Sequence, residues 1–398
     1  MPKRKLSSAR HRMWWGVKLV VSLSIIISII WIQSQTSSTS PLQKYSPTPF
    51  SGNPKIAFLF LAKSNLPLDF LWDTFFQAKS LSVSSSPHLG SVHENLKFEC
   101  FVLKNGDGSN FSIHIHSRPG FVFDESTTRS AFFYGRQLRK TVQVVWGESS
   151  MIEAERLLLE AALEDPANQR FILLSESCVP LYNFSYIYNY VMSSPKSFVD
   201  SFLDTKEGRY NPKMSPKIPK DRWRKGSQWI TLVRKHAVVV ANDDAILSVF
   251  KRYCKRRPDV DLKVKGKQNM LMQKQHNCIP DEHYLQTLLA MWELEHELER
   301  RTLTFTSWNQ TANNIAKQRW HPVTFEYSDA SLQHIKEIKR INHVYYETEY
   351  RTEWCHTNGT LAPCFLFARK FSRGAAMRLL SEGLVGPFDA AVLLSMAS

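Results

Sequence analysis

The sequence predicts an α/β domain with a mainly parallel sheet flanked by helices. Short, strongly apolar runs, such as KIAFLFLA at 55–62 and FILLS at 171–175, are typical of strands buried on both faces. Segments with the helical spacing of apolar residues, LPLDFLWDTFFQA at 66–78 and MIEAERLLLEAALED at 151–165, accompany these strands. This alternation favours a parallel sheet, whose ligand crevice lies at the carboxyl ends of the strands.

Three further strands are expected in the same domain. FSIHIHS at 111–117 alternates between polar and apolar residues, VQVVW at 142–146 follows it, and FLFARKF at 365–371 comes late in the chain. The second half is less regular and contains a basic tract at 251–267. Because no fixed-period repeat is present, we expect a single domain over 55–398.

The N-terminal region has the pattern of a signal anchor. Residues 1–13 carry five basic side chains, and a nearly unbroken apolar run follows at 14–32. This run approaches the about 20 residues of a membrane span and exceeds the about 7–15 of a secretory core. The basic flank predicts a cytosolic tail, and the Ser-, Thr- and Pro-rich segment 33–54 predicts a flexible lumenal stem. Cleavage within the serine-rich segment 34–40 stays open as an alternative.

A lumenal position agrees with the sequons and cysteines. Four N-x-Ser/Thr sequons are potential glycosylation sites: Asn110, Asn183, Asn309 and Asn358. The six cysteines form no CxxC or Cys/His metal pattern, and their even number suits an oxidising compartment. The expected disulfide pairs are Cys355 with Cys364 and Cys254 with Cys278, which leaves Cys100 with Cys178 by elimination.

The charge indicates an anionic partner. A formal net charge of +15 suits a nucleotide diphosphate, a membrane surface or a nucleic acid. The predicted compartment and the absence of a recognition motif exclude nucleic acid. The literal DxD sequence, Asp259 to Asp261, lies in the basic tract rather than after an apolar strand, so we expect no divalent metal and no other cofactor.

Several blocks, in order from Ala57 to Phe371, resemble the plant branch of the core-2/I-branching N-acetylglucosaminyltransferase family, glycosyltransferase family 14. They are AFLFLAKSNLPLDFLWDTFF, FSIHIH, VVWGESSMIEAERLLLEAALEDPANQRFILLSESCVPL, KGSQWITLVRKH, CIPDEHYLQTLL, TSWN with HPVTF, and CFLFARKF. The resemblance implies a GT-A-like fold, an inverting mechanism, a UDP-sugar donor and independence from metal. It also implies a single-pass type II Golgi membrane protein with a lumenal catalytic domain.

The resemblance assigns the two principal chemical roles. Glu282 matches the family's catalytic glutamate, which takes the proton of the acceptor hydroxyl. The alternative is that Asp281 and Glu282 only favour the macrodipole of the following helix. Lys370 matches a lysine that binds the donor diphosphate. Its neighbour Arg369 is a further candidate for donor binding, although regular strand alternation would point it to the opposite face.

The remaining site residues are weaker predictions. The family's partner arginine has no clean match, which leaves Arg340 and Arg351 as candidates for donor binding. Trp308 matches a donor-site tryptophan, and Trp229 lies either beside the acceptor or in the core. His116 stands where the family often carries an aspartate that contacts the nucleoside, so it either binds the donor or is a satisfied strand histidine.

Together these features predict the transfer of a sugar, of N-acetylglucosamine type, from a UDP-sugar to a hydroxyl of a glycan or glycoprotein. The alternative is a catalytically inactive lumenal glycan-binding or scaffold protein on the same fold. The departure at His116 leaves the donor sugar open, and the acceptor is open as well.

Overall fold

The computed structural model describes residues 50–80, 110–206, 208–256, 277–308, 322–357 and 359–383, all within the unit Pro47–Ser398. The predicted tail, the anchor and most of the stem lie outside the described residues, as do Cys100, Asn309, Asn358, Asp259 and Asp261. None of the helices in the described ranges is long and apolar enough to cross a membrane.

The strands in the described residues are β1 (Lys55–Leu61), β2 (Phe111–His116), β3 (Asn168–Ser175), β4 (Val179–Pro180), β5 (Ser197–Phe198), β6 (Phe202–Leu203), β7 (Arg224–Lys225), β8 (Thr231–Val233), β9 (Leu298–Glu299), β10 (Thr304–Thr306), β11 (His343–Tyr346), β12 (Arg351–Trp354), β13 (His356–Thr357), β14 (Thr360–Leu361) and β15 (Phe367–Arg369). The helices are α1 (Asp69–Ser80), α2 (Ser150–Leu163), α3 (Phe184–Ser193), α4 (Arg234–Asn242), α5 (Ala245–Tyr253), α6 (Tyr284–Met291), α7 (Leu332–Arg340) and α8 (Arg373–Ser381).

A six-stranded sheet with the order β2-β1-β3-β8-β5-β9 forms the centre of the described unit. Strand β1 is parallel to both β2 and β3, and β5 is parallel to β9. Strand β8 is antiparallel to β3 and to β5. The prediction of a mainly parallel sheet in an α/β fold is therefore confirmed.

Smaller sheets extend this framework. Strands β10, β15 and β4 form a second sheet in which β15 is parallel to β10 and antiparallel to β4. The pairs β6 with β7, β11 with β12, and β13 with β14 are two-stranded and antiparallel. The predicted late strand is shorter than expected, because only Phe367–Arg369 of 365–371 forms a strand, and Phe371 makes a separate parallel bridge with Phe325.

The strand predicted at 142–146 is wrong. The open edge of β2 is taken by an earlier segment, in which the Leu138 amide donates to the Ile115 carbonyl at 2.8 Å. The chain then turns, and the Val142 amide donates to Nε2 of His116 at 3.1 Å. Alternating valines alone do not show that the sheet edge already has a partner.

An aromatic core lies between β1 and α1. The fully buried ring of Phe58 lies 6.2, 5.9 and 5.3 Å from those of Trp72, Phe75 and Phe76, in edge-on geometry. Nε1 of Trp72 donates to the Cys178 carbonyl at 3.1 Å, which ties α1 to the segment before β4. This close packing fixes α1 against β1 and against the segment that follows β3.

The two predicted disulfides are present. Cys254 and Cys278 are bonded with a Cα–Cα distance of 5.0 Å, and Cys355 and Cys364 with one of 5.2 Å. Cys178 is a buried free thiol in the described part of the chain, and Cys100, its expected partner, lies outside the described residues.

Two predicted sequons lie in the described residues, and both asparagines are half-buried. The backbone carbonyl of Asn110 accepts a hydrogen bond from the Ile56 amide at 2.9 Å. Asn183 is the N-cap of α3, and its side chain accepts from the Tyr186 amide at 2.9 Å.

Candidate active site

A large cleft opens at the carboxyl ends of β1, β2 and β3, where the sequence predicts the ligand crevice. Its volume is about 1540 Å³. Leu61 and Lys63 line it after β1, His116 at the end of β2, and Ser175 and Glu176 at the end of β3. Clefts at this position of an α/β sheet are the usual ligand sites of the fold class.

Glu282 lies in the wall of this cleft, in a 3-10 turn formed by Pro280–Glu282. A strip of residues 224–227, which begins with β7, runs beside the turn. Within it the Gly226 amide donates to the Glu282 carbonyl at 2.9 Å, and the Lys225 ammonium donates to the Glu282 carboxylate. The backbone and the side chain of Glu282 are thus held by adjacent residues of one strip.

The residues after Glu282 fasten the same strip. Nδ1 of His283 donates to the Arg224 carbonyl at 2.8 Å, and the ring stacks on Trp223 with centroids 4.4 Å apart. Burial lowers the pKa of His283 well below its usual range, so the ring is neutral. Nε2 of Gln286 donates to the Ser227 carbonyl at 2.8 Å. Because these bonds continue into α6, the strip and the turn form one rigid unit.

Two buried carboxyl groups lie behind Glu282. Burial, followed by the charge of Glu282, raises the pKa of Asp281 to about 7. Burial also raises the pKa of Glu155 well above its usual range, although Gln228 donates to it at 2.7 Å. Glu282 keeps 30% of its side chain exposed. Of these three acids, Glu282 is the one that a substrate in the cleft reaches.

Arg369 and Lys370 contribute two neighbouring cations to the cleft lining. The guanidinium of Arg369 lies 4.4 Å from the ring centroid of Trp229. Burial, and then the charge of Arg369, lowers the pKa of Lys370. Neither cation forms an ion pair with a carboxylate of the described residues. Arg369, a candidate for donor binding, lines the same cleft as Lys370, because β15 ends at Arg369 and the regular alternation of side chains does not extend to Lys370.

Three more of the predicted site residues line the cleft. Trp308 follows β10 and is 49% exposed, so its indole face is open to a ligand. Trp229 is only 5% exposed and packs against Arg369. His116 is buried, and burial lowers its pKa to about 4, so the ring is neutral with Nε2 accepting from Val142.

The two candidate partner arginines do not line the cleft. Arg351 pairs with Glu349 at 2.9 Å and with Glu353, and it stacks 4.2 Å from the ring centroid of Tyr346. Its charge is therefore used within the β11–β12 hairpin. Arg340 is an exposed residue at the end of α7.

Sequence reasoning missed Lys225 and Gly226, although both belong to a quoted block. Lys225 meets a residue 57 positions later in the chain, and no local pattern indicates that contact. The need for glycine at position 226 is visible only in the structure, where a Cβ would lie 1.7 Å from the Asp200 carbonyl oxygen. Only a residue without a side chain permits this approach.

Within the described ranges, no group of three or more His, Cys, Asp or Glu side chains has the arrangement of a metal site. Glu176, which follows β3, accepts a hydrogen bond from the Lys63 amide at 2.8 Å.

Comparison with known proteins agrees with this geometry. The model of the Core-2/I-Branching enzyme family matches residues 93–339, which is more than half of the chain. The chain belongs to the Core-2/I-branching enzyme family. It is also 51% identical over 349 residues to a rice protein (Oryza sativa subsp. japonica) named Glycosyltransferase BC10, which covers 86% of this chain and 80% of the rice protein. The protein is therefore a glycosyltransferase, with a nucleotide-sugar donor and a glycan acceptor.

The contact between Gly226 and Asp200 yields a stability prediction. In Gly226→Ala the added methyl group would overlap the Asp200 carbonyl oxygen, so the strip 224–227 must move. We therefore expect the unfolding free energy to fall by about 1–3 kcal/mol or more. Gly374→Ala is the matched control, because its Cβ would meet neighbours no closer than 3.6 Å in a helix. Denaturant unfolding midpoints check both variants, and equal midpoints for Gly226→Ala and the wild type contradict the close approach.

Proposed function

We propose that the protein transfers a sugar of N-acetylglucosamine type from a UDP-sugar to a hydroxyl of a glycan or glycoprotein, with inversion and without a divalent metal. One observation carries the proposal: a single cleft contains a partly exposed carboxylate, Glu282, and two cations, Arg369 and Lys370, that have no carboxylate partner among the described residues. An inverting transfer requires both groups, a base for the acceptor and positive charge for the leaving diphosphate.

The reaction is a single displacement. The acceptor oxygen bonds to the anomeric carbon while its proton passes to the Glu282 carboxylate. The bond from the anomeric carbon to the β-phosphate oxygen breaks, and UDP leaves with the electron pair. Attack on the face opposite the leaving group inverts the anomeric configuration.

Arg369 and Lys370 are assigned to the diphosphate. A guanidinium offers a planar pair of donors to phosphate oxygens, and an ammonium adds a compact charge beside it. Trp229 holds the guanidinium by stacking, and Nε of Arg369 is buried without a hydrogen-bond partner in the described residues. These cations would neutralise the charge that develops on UDP, which is the task a metal performs in other transferases.

Trp308 and His116 complete the proposed donor site. The exposed indole of Trp308 suits the apolar face of a pyranose or of uracil. Neutral His116, at the end of β2, lies where the nucleoside of a donor would enter an α/β cleft.

We also propose that residues 14–32 anchor the protein in the Golgi membrane with the catalytic domain in the lumen. The two disulfides support an oxidising compartment. Membrane fractionation of the full-length chain, with endoglycosidase treatment, tests this. We expect sedimentation with Golgi membranes and a mobility shift on deglycosylation; an unglycosylated cytosolic product would contradict the proposal.

A donor screen tests the proposed reaction. The full-length chain is incubated with UDP-N-acetylglucosamine, UDP-xylose, UDP-glucuronic acid or UDP-galactose and a panel of nitrophenyl glycosides, with and without EDTA. We expect sugar transfer that is retained in EDTA. We also expect Glu282→Gln to lower kcat at least about 10²-fold, because the amide cannot accept the proton.

Donor binding supplies the control for that variant. Glu282→Gln should bind UDP as the wild type does, since the substitution removes no phosphate contact. Activity abolished by EDTA would overturn the metal-free mechanism, and a fully active Glu282→Gln would overturn the assignment of the base. A wild-type chain that binds UDP and transfers no sugar would favour the inactive glycan-binding alternative.

A further inference from the structure

We propose that Lys225 is a positioning residue that holds the Glu282 carboxylate in the orientation required to accept the proton. The inference rests on the proposed function, because it gives a role to a second residue around the same base. It concerns the contact between Lys225 and Glu282, which neither the sequence patterns nor the family resemblance indicates.

Lys225 is the hydrogen-bond partner of the Glu282 side chain in the described part of the chain. The ammonium donates to Oε2, and the two side chains are 18% and 30% exposed. Because most of each side chain is withdrawn from solvent, salt and water screen the two charges less than they would at the open surface, so the pair is not a loose surface contact. Both residues line the cleft, which places the pair where the reaction is proposed.

Lys225 is itself held in place. It is the last residue of β7, which pairs with β6 through Phe202, and the next residue donates its amide to the Glu282 carbonyl. The backbone hydrogen bonds therefore fix the α-carbons of Lys225 and Glu282, and the ion pair fixes the ammonium and the carboxylate at the tips of the two side chains. Without the ammonium, Glu282 keeps three rotatable side-chain bonds with no described partner for its carboxylate.

The other acids near Lys225 do not compete for it. Asp200 accepts from the Ser227 amide at 2.8 Å and from the Tyr346 hydroxyl at 2.5 Å, so both of its oxygens are occupied. Asp281 is buried, and its Oδ1 has no hydrogen-bond partner among the described residues. The charge of Lys225 acts on both of these acids, but its direct contact is with Glu282.

The ion pair has a kinetic consequence that a purely structural lysine lacks. A misplacement of about 1 Å in a catalytic group lowers the rate on the order of 10²-fold. Loss of Lys225 should therefore reduce kcat while donor and acceptor binding persist. Its effect must also vanish when Glu282 can no longer act as a base.

A double-mutant cycle tests this inference with the donor and glycoside that are most active in the screen. We expect Lys225→Met to lower kcat about 10- to 100-fold, with both KM values within about 3-fold of the wild type. Lys225→Arg should retain more activity than Lys225→Met, because it keeps the positive charge. In a Glu282→Gln background, Lys225→Met should change the residual kcat less than about 3-fold. Lys213→Met, an exposed lysine outside the cleft, is the matched control and should behave as the wild type.

Three results would overturn the positioning role. An unchanged kcat in Lys225→Met shows that Glu282 needs no partner. A raised acceptor KM at constant kcat shows that Lys225 binds the acceptor directly. An equal loss in the presence and absence of Glu282 shows that the lysine acts independently. A wild-type chain that transfers no sugar at all would instead refute the proposed function, and this inference with it.

Discussion

The site depends on the close approach of the strip 224–227 to the backbone around it. The Gly226 amide bonds the Glu282 carbonyl at 2.9 Å, and the α-carbon of Gly226 lies so near the Asp200 carbonyl that no Cβ fits. This packing brings Lys225 to the turn that carries Glu282. Because His283 and Gln286 bond the same strip, the turn cannot move without α6. In the proposed reaction the Glu282 carboxylate must lie within hydrogen-bond distance of the acceptor hydroxyl, and a rigid backbone around Glu282 favours that geometry.

The cleft divides its charges between two tasks. Glu282 and Lys225 satisfy each other on one part of the lining, with Asp281 buried beside them. Arg369 and Lys370 form the other group, and their lack of carboxylate partners in the described residues leaves them available to an anionic ligand. The aromatic rings have separate roles, since Trp229 supports Arg369 whereas Trp308 is exposed to the cleft. Under the proposed function, this division lets one cleft bind a diphosphate and still keep a base for the acceptor.

The sequence predicts the elements whose pattern is local and misses contacts that are not. Ile56 to Leu61 and Phe171 to Leu174 are continuously apolar because β1 and β3 are covered on both faces, so their strands were predictable. The prediction of a strand at 142–146 failed because the edge of β2 has another partner. Strand alternation did not indicate where the Arg369 side chain lies, because β15 ends at that residue. Glu282 and Lys370 were assigned through the family resemblance, and the structure brings both to one cleft. Lys225 was not predictable, since a lysine in a polar strip has no signature of its distant partner.

A structure of the protein with UDP bound tests most directly the claim that this cleft is a sugar-nucleotide site. We expect the diphosphate within hydrogen-bond distance of Lys370 Nζ and the Arg369 guanidinium, with the Glu282 carboxylate facing the space next to the β-phosphate. UDP bound away from these two cations, or a Glu282 side chain with no access to the space beside the phosphate, would contradict it.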